Sequence, residues 1–330
     1  MRIRRRLVVV GVASTLGLPA LLAGCGNSSD NKAEAPPPPA RAQDFPKAGG
    51  KTLVQLLQET RSQGGPVFAP SVSELEPGHN RFGFGIFDRT RRQIADAPAA
   101  VYVARVGGGR ARGPFPARYE SLKLPPQFES RSVASDPGAA RTVYVSDVKF
   151  PATGQYDAIA IVRLDNRLVA ALPAGGPVNV VKDSKVPEVG EKAPFIHTPT
   201  VASVGGNVKS IDTRVPPTTM HDVDYADVLG KKPIILLFAT PALCQSKVCG
   251  PVADITEEVK AKRGNDATFI HMEVYRDNTF SKGYRPQLKA FHLMTEPWVF
   301  AIDRRGRIAA RIEGAFGARE LERAVDAAQR

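Results

Sequence analysis

The chain has 330 residues with 42% hydrophobic and 24% charged side chains, a composition that supports globular packing and, at this length, roughly two domains. Its formal charge is +12. The charge is scattered rather than gathered into a basic stripe with interleaved aromatics, which argues against a nucleic-acid surface and fits attraction to an anionic envelope surface better.

Residues 1–24 read as a targeting segment. Arg2, Arg4, Arg5 and Arg6 form a basic start, and Leu7 to Ala23 is an apolar stretch broken by Gly and Pro. It is too short and interrupted to span a bilayer well. It ends Leu22-Ala23-Gly24-Cys25, the pattern of a bacterial lipobox, in which the cysteine is acylated and becomes the mature N-terminus. An ordinary signal peptide with an incidental cysteine is the alternative. The lipobox predicts a chain anchored to membrane lipid through Cys25, carrying palmitate or a similar acyl group, on the extracytoplasmic face of the cell membrane. Disulfides persist there. Removing the four leader arginines lowers the formal charge to +8.

Residues 25–50 are polar and Pro-rich, with Pro36-Pro37-Pro38-Pro39, and read as a semi-rigid tether. A helical or turn segment is expected over Thr52–Gln58. Residues 51–183 are then β-rich. Short apolar or alternating runs at 82–87, 101–104, 142–145, 158–162 and 168–171 are separated by turn signals such as Gly107-Gly108-Gly109 and Asp136-Pro137-Gly138. This pattern predicts a β-sandwich. Phe150 to Ala158 resembles the tyrosine corner of immunoglobulin-like domains, with Tyr156 bonding back to nearby backbone. The region has no acidic pair or histidine cluster, and His79 reads as a turn residue. No chemistry is assigned here.

After a junction at Asp183–Pro194 the pattern becomes α/β. Pro233–Phe238 reads as a buried strand, Val252–Lys262 as a helix, Thr268–Val274 as a second strand, and 281–291 as partly helical. Trp298–Ile302 and Arg307–Ile312 form a hairpin across Asp303-Arg304-Arg305-Gly306. An amphipathic helix, Ala318–Gln329, closes the chain.

The pair Cys244 and Cys249 directly follows the first of these strands. Cys25 is accounted for by the lipobox, so the pair has no competing thiol. Four residues intervene. At about 100° per residue, two helical positions five apart differ by about 140° after a full turn. A disulfide therefore requires Cys244 to lie outside the helix, or the first turn to be distorted. A thiol at a helix N-terminus favours the thiolate, and Lys247 adds a positive charge.

Residues 190–330 resemble thioredoxin-like proteins of the membrane-anchored bacterial thiol–disulfide type. Three stretches carry the resemblance: Leu237 to Cys244; Thr295-Glu296-Pro297-Trp298, similar to a cis-proline segment running into a strand; and Gly306-Arg307-Ile308 with Glu313-Gly314, similar to the closing hairpin. The whole chain resembles lipoproteins with an immunoglobulin-like domain before such a domain. By position after the strand, Cys244 reads as the attacking thiol and Cys249 as the resolving thiol. The resemblance implies a substrate-facing set of Pro297, Thr295 and Trp298, envelope-protein thiols and disulfides as partners, and no cofactor.

The four-residue gap departs from the two-residue thioredoxin spacing. It matches some peroxiredoxins, although Pro241 occupies the place of their active-site Thr or Ser. Other readings are a binding or structural lipoprotein with a static disulfide, and a copper-handling protein of the Sco type. For the last, His292 is the weak candidate ligand, and His271 reads as a packed strand residue.

Overall fold

A computed structural model describes residues 39–60 and 64–330. The leader, Cys25 and most of the tether lie outside the described residues. No helix among the described residues is long and apolar enough to cross a membrane.

Helix α1 (Leu53–Glu59) starts at a reciprocal cap: Gln55 N–H donates to Thr52 Oγ1, and the Gln55 side chain accepts from Thr52 N–H. Eight strands follow: β1 (Val67–Pro70), β2 (Gly78–Phe87), β3 (Ala99–Arg105), β4 (Arg112–Ser121), β5 (Thr142–Phe150), β6 (Gly154–Leu164), β7 (Arg167–Pro173) and β8 (Val178–Val180). Helix α2 (Arg131–Ser135) sits between β4 and β5. Seven strands close in the order β3-β4-β5-β2-β1-β7-β6 and back to β3, with β8 paired to the start of β6.

The expected immunoglobulin-like sandwich is therefore corrected to a closed barrel. The cause is β4, a strand that is not among the expected runs and that carries Pro114 and Pro116. Proline has no N–H to give to a ladder and marks breaks in pairing. Here the break falls mid-strand. Arg112–Pro116 pairs with β3 and Ala117–Ser121 pairs with β5, so one bent strand joins what would be two sheets. Strand β1 makes the other join, antiparallel to β2 and parallel to β7. Phe68, Phe82, Phe84, Tyr144, Phe150 and Tyr156 fill the interior. The tyrosine-corner hydrogen bond is present: Tyr156 Oη donates to the Ala152 carbonyl at 2.9 Å. His79 lies in β2, not in a turn, against Asp147. Phe45 and Ala48, at the end of the stretch read as tether, are buried with Leu56 on the outside of β3 and β6.

The C-terminal lobe has a four-stranded sheet in the order β10-β9-β11-β12, formed by β9 (Ile234–Phe238), β10 (Thr268–Met272), β11 (Trp298–Ile302) and β12 (Ile308–Glu313). Strands β9 and β10 are parallel and connected through α4 (Cys249–Arg263), while β11 and β12 run antiparallel. One face packs on α4 and α6 (Ala318–Gln329). The other packs on α3 (Tyr225–Val228) and α5 (Pro286–Ala290). This is the thioredoxin-like arrangement, and its strands and helices fall close to the expected segments. β9 is apolar at every position because both faces are covered. Barrel and thioredoxin-like lobe belong to one compact unit.

Candidate functional site

β9 delivers the chain through Ala239 and Thr240 into a tight turn in which Leu243 N–H donates to the Thr240 carbonyl. Cys244 lies in the loop after it. Cys249 is the first residue of α4, and the two are joined by a disulfide with Cα atoms 5.9 Å apart. The four-residue gap is solved outside the helix. Lys247 N–H bonds back to the Cys244 carbonyl, and Lys247 takes φ 60°, so the loop doubles back before the helix begins. Cys249, rather than Cys244, thus receives the positive end of the α4 macrodipole. Cys244 Sγ lies 3.2 Å from Ser246 Oγ. Lys247 Nζ pairs with Asp136 of the barrel at 3.0 Å, and this hydrogen bond holds the Asp136 carboxyl below its usual range. The lysine charge anticipated near the thiols is spent partly on that contact.

The Glu296–Pro297 peptide is cis. A pocket of about 190 Å³ has Pro297, Thr295 and Glu296 on one side and Ser246 and Val248 of the cysteine loop on another. Its remaining wall comes from the barrel at Pro70–Ser73. Thr295 and Pro297 therefore share a pocket with the cysteine loop. Trp298 does not: it is 2% exposed, stacks on Phe300, and donates through Nε1 to Thr295 Oγ1. Its bulk belongs to the sheet core, which removes it from the substrate-facing set. His292 is exposed and lines a different cleft of about 700 Å³, with Lys182, Lys185 and Lys289. The structure does not bring it to the pocket beside the cysteines.

Two polar groups, one half-buried and one fully buried, give no signal in the sequence. Glu296 accepts from Thr240 N–H at 2.6 Å. Burial, reinforced by nearby Glu273, pushes its carboxyl up to about 7 against the opposing hydrogen bonds from Thr240 and Tyr275. An acidic residue next to a proline gave no signal, because its burial depends on strands distant in sequence. The second group is a hub around Asp212 Oδ2. That oxygen accepts from Thr218 N–H and Oγ1 (both 2.7 Å), faces His221 Nε2 at 2.9 Å and faces His271 Nδ1 at 3.3 Å. His271 Nε2 meets the Ala239 carbonyl at 2.9 Å. With both ring nitrogens facing acceptors, His271 is held as imidazolium. Burial opposes that charge, but Asp212 outweighs it and lifts the ring to about 9. Burial, then the charge of His271, keeps His221 low. The three ligand atoms lie within 4.8 Å of one another.

The barrel lies over this face of the lobe. Cys244 is 6% and Cys249 0% exposed, in one apolar cluster with Leu122, Val143 and Val145 of the barrel. A Cβ at Gly250 would lie 2.7 Å from Val133 Cγ2. Ser130 N–H and Oγ donate to Asp254 of α4 at 2.8 and 3.0 Å, and Arg214 holds the other oxygen of Asp254 at 2.6 Å. Ser73 and Glu74 N–H groups both donate to Glu313, at 2.9 and 3.1 Å. Glu320 of α6 is gripped by Arg81 and Arg118 at 2.8 and 2.7 Å.

No family model and no curated protein matches the chain. Two solved structures are similar to part of it. One is a DsbE thiol:disulfide interchange protein from Chlorobium tepidum, at 18% identity and a TM-score of 0.31, covering 44% of this chain and 99% of that one. The other is a thioredoxin-family thiol:disulfide interchange protein from Chlorobium tepidum TLS, at 19% identity and a TM-score of 0.29, covering 45% of this chain and 100% of that one. The strand order and helix placement of the C-terminal lobe carry its thioredoxin-like assignment.

Proposed function

We propose that the chain is a lipid-anchored, extracytoplasmic thiol–disulfide oxidoreductase that exchanges disulfides with envelope proteins through Cys244 and Cys249. The observation that carries the proposal is the disulfide between the loop after β9 and the start of α4, with the intervening residues Ser246 and Val248 sharing a pocket with cis-Pro297. A substrate thiolate attacks Cys244 Sγ, the more exposed sulfur, and forms a mixed disulfide. The Cys244–Cys249 bond breaks and Cys249 leaves as thiolate, stabilised by the N-terminus of α4. A second substrate thiol then releases Cys244, so the substrate loses two electrons and the protein gains two thiols. In the reverse direction Cys244 attacks a substrate disulfide and Cys249 resolves it. The pair needs no cofactor. The barrel serves as a docking module, and acylation of Cys25 supplies the anchor.

Trapping tests the exchange. Cys249→Ser is expected to accumulate mixed disulfides at Cys244 in envelope extracts, and an empty trap in a folded variant counts against exchange. Labelled palmitate should enter the wild-type chain and not Cys25→Ser. A second reading, a static clamp, is favoured by the burial of both sulfurs under the barrel. A reduction potential far below about −300 mV, with Cys244 unreactive to iodoacetamide after mild reduction, would select it.

A further inference from the structure

The barrel reads the shape of the inter-cysteine loop directly. Ala140 N–H donates to the Lys247 carbonyl at 3.1 Å, and Asp136 holds Lys247 Nζ at 3.0 Å. Lys247 stands in the left-handed region, a conformation that a lysine adopts only where its surroundings impose it. What imposes it here is the short closed ring of Cys244 to Cys249. Once the sulfur–sulfur bond is gone, a single 3.3 Å hydrogen bond from Lys247 N–H to the Cys244 carbonyl is what remains within the loop to hold that conformation, and the Lys247 carbonyl is freer to turn from Ala140.

The same docked arrangement closes the site. The barrel segment Pro70–Ser73 forms one wall of the pocket beside cis-Pro297, and Val133 of α2 packs against Gly250 beside Cys249. A polypeptide laid along the cis-proline loop toward Cys244 would have to displace these segments. Access to the sulfurs and docking of the barrel thus compete for one surface.

We propose that the barrel is a redox-dependent cover, docked over the oxidised Cys244–Cys249 pair and released when the pair is reduced. The reduction balances with a dithiol as co-reactant: its two sulfurs join, it gives up two electrons and two protons, and the Cys244–Cys249 bond becomes two thiols. Coupling between two such equilibria is reciprocal. If reduction loosens the barrel, docking must favour the disulfide by the same factor. The inference rests on the exchange function only in requiring that the pair be reducible in the native protein.

Backbone amides report the docking. Ser73, Glu74, Ser130, Arg131 and Ala140 each donate an N–H to an acceptor of the C-terminal lobe. Amide hydrogen exchange on the full chain, oxidised and then reduced with dithiothreitol, follows them peptide by peptide, with thiol content checked by alkylation and mass. The peptides covering 71–74 and 130–140 are expected to exchange about tenfold faster after reduction, while β9 and β11 stay protected. Val133→Asp should expose these amides in both states and shift the equilibrium with dithiothreitol about fivefold toward the dithiol, within the usual range of coupling between sites. Should that variant not fold, Asp136→Asn removes only the Lys247 ion pair and is expected to shift the same equilibrium about twofold. Equal protection in both states, with reduction verified, overturns the cover and leaves exchange standing. A disulfide that dithiothreitol cannot reduce without unfolding overturns both.

Discussion

Thr240 N–H donates to the Glu296 carboxyl at 2.6 Å, joining the end of β9 to the residue before cis-Pro297. The two approaches to the pocket, one leading to Cys244 and the other to the proline, are thereby held to each other by a carboxyl that burial pushes up to about 7.

That carboxyl predicts a pH signature. Its folded-state value lies above the unfolded one, so the protonated form suits the fold. Its stability contribution is unchanged below the unfolded value of 4.5, falls as pH rises from there to about 7, and is constant above. Glu296→Gln keeps an acceptor for Thr240 and cannot ionise. It is expected to gain on the wild type by about 2 kcal/mol between those limits. Urea unfolding at pH 5 and pH 8 measures the difference, and parallel curves would refute it.

His271 works in the same sense at higher pH. Its folded value of about 9 lies above the ordinary 6.5, so its stabilisation is complete below pH 6.5 and drains away as pH rises through about 9. The His271 ring is expected to titrate near 9 by NMR. Asp212→Ala leaves a buried imidazolium without its partner and should cost about 3–5 kcal/mol. A loss below about 1 kcal/mol would show the hub to be dispensable.

Glu320 ties α6 to the barrel through Arg81 and Arg118. The ion pairs lower its carboxyl against the cost of burial, so their stabilisation is present above the ordinary carboxylate range and is lost as pH falls through the lowered value. Glu320→Gln should cost about 2–3 kcal/mol at pH 7, less than a fully buried pair because Arg118 is partly solvated. The penalty should shrink toward pH 3.

Gly314 follows β12 with φ 75°, and a Cβ there would run into the Ser71 carbonyl of the barrel. Gly314→Ala must both strain the backbone and push the barrel wall outward. The expected loss is about 2–4 kcal/mol. Differential scanning calorimetry checks it, and an unchanged midpoint would mean that the barrel yields without cost.

Residue pattern alone placed the thioredoxin-like lobe well. The apolar run at Ile234–Phe238, the hairpin around Gly306 and the amphipathic Ala318–Gln329 helix declare themselves through period and turn chemistry, which are local properties. The spacing of Cys244 and Cys249 likewise required the first cysteine to stand outside α4, because helix geometry forbids the alternative. What local pattern could not carry was every feature made by residues distant in sequence. Pro114 and Pro116 hid β4 as a strand, yet pairing with both β3 and β5 turns the expected sandwich into a barrel. Trp298 is core because Phe300 stacks on it, and Glu296 is a perturbed acid because packing takes its carboxyl out of water beside Glu273. The cover over the cysteines arises from contacts such as Ala140 with Lys247 and Ser73 with Glu313. Sequence period fixes the exposure of a side chain relative to its own element, whereas burial and charge at a site depend on which other elements arrive there, and only tertiary packing decides that.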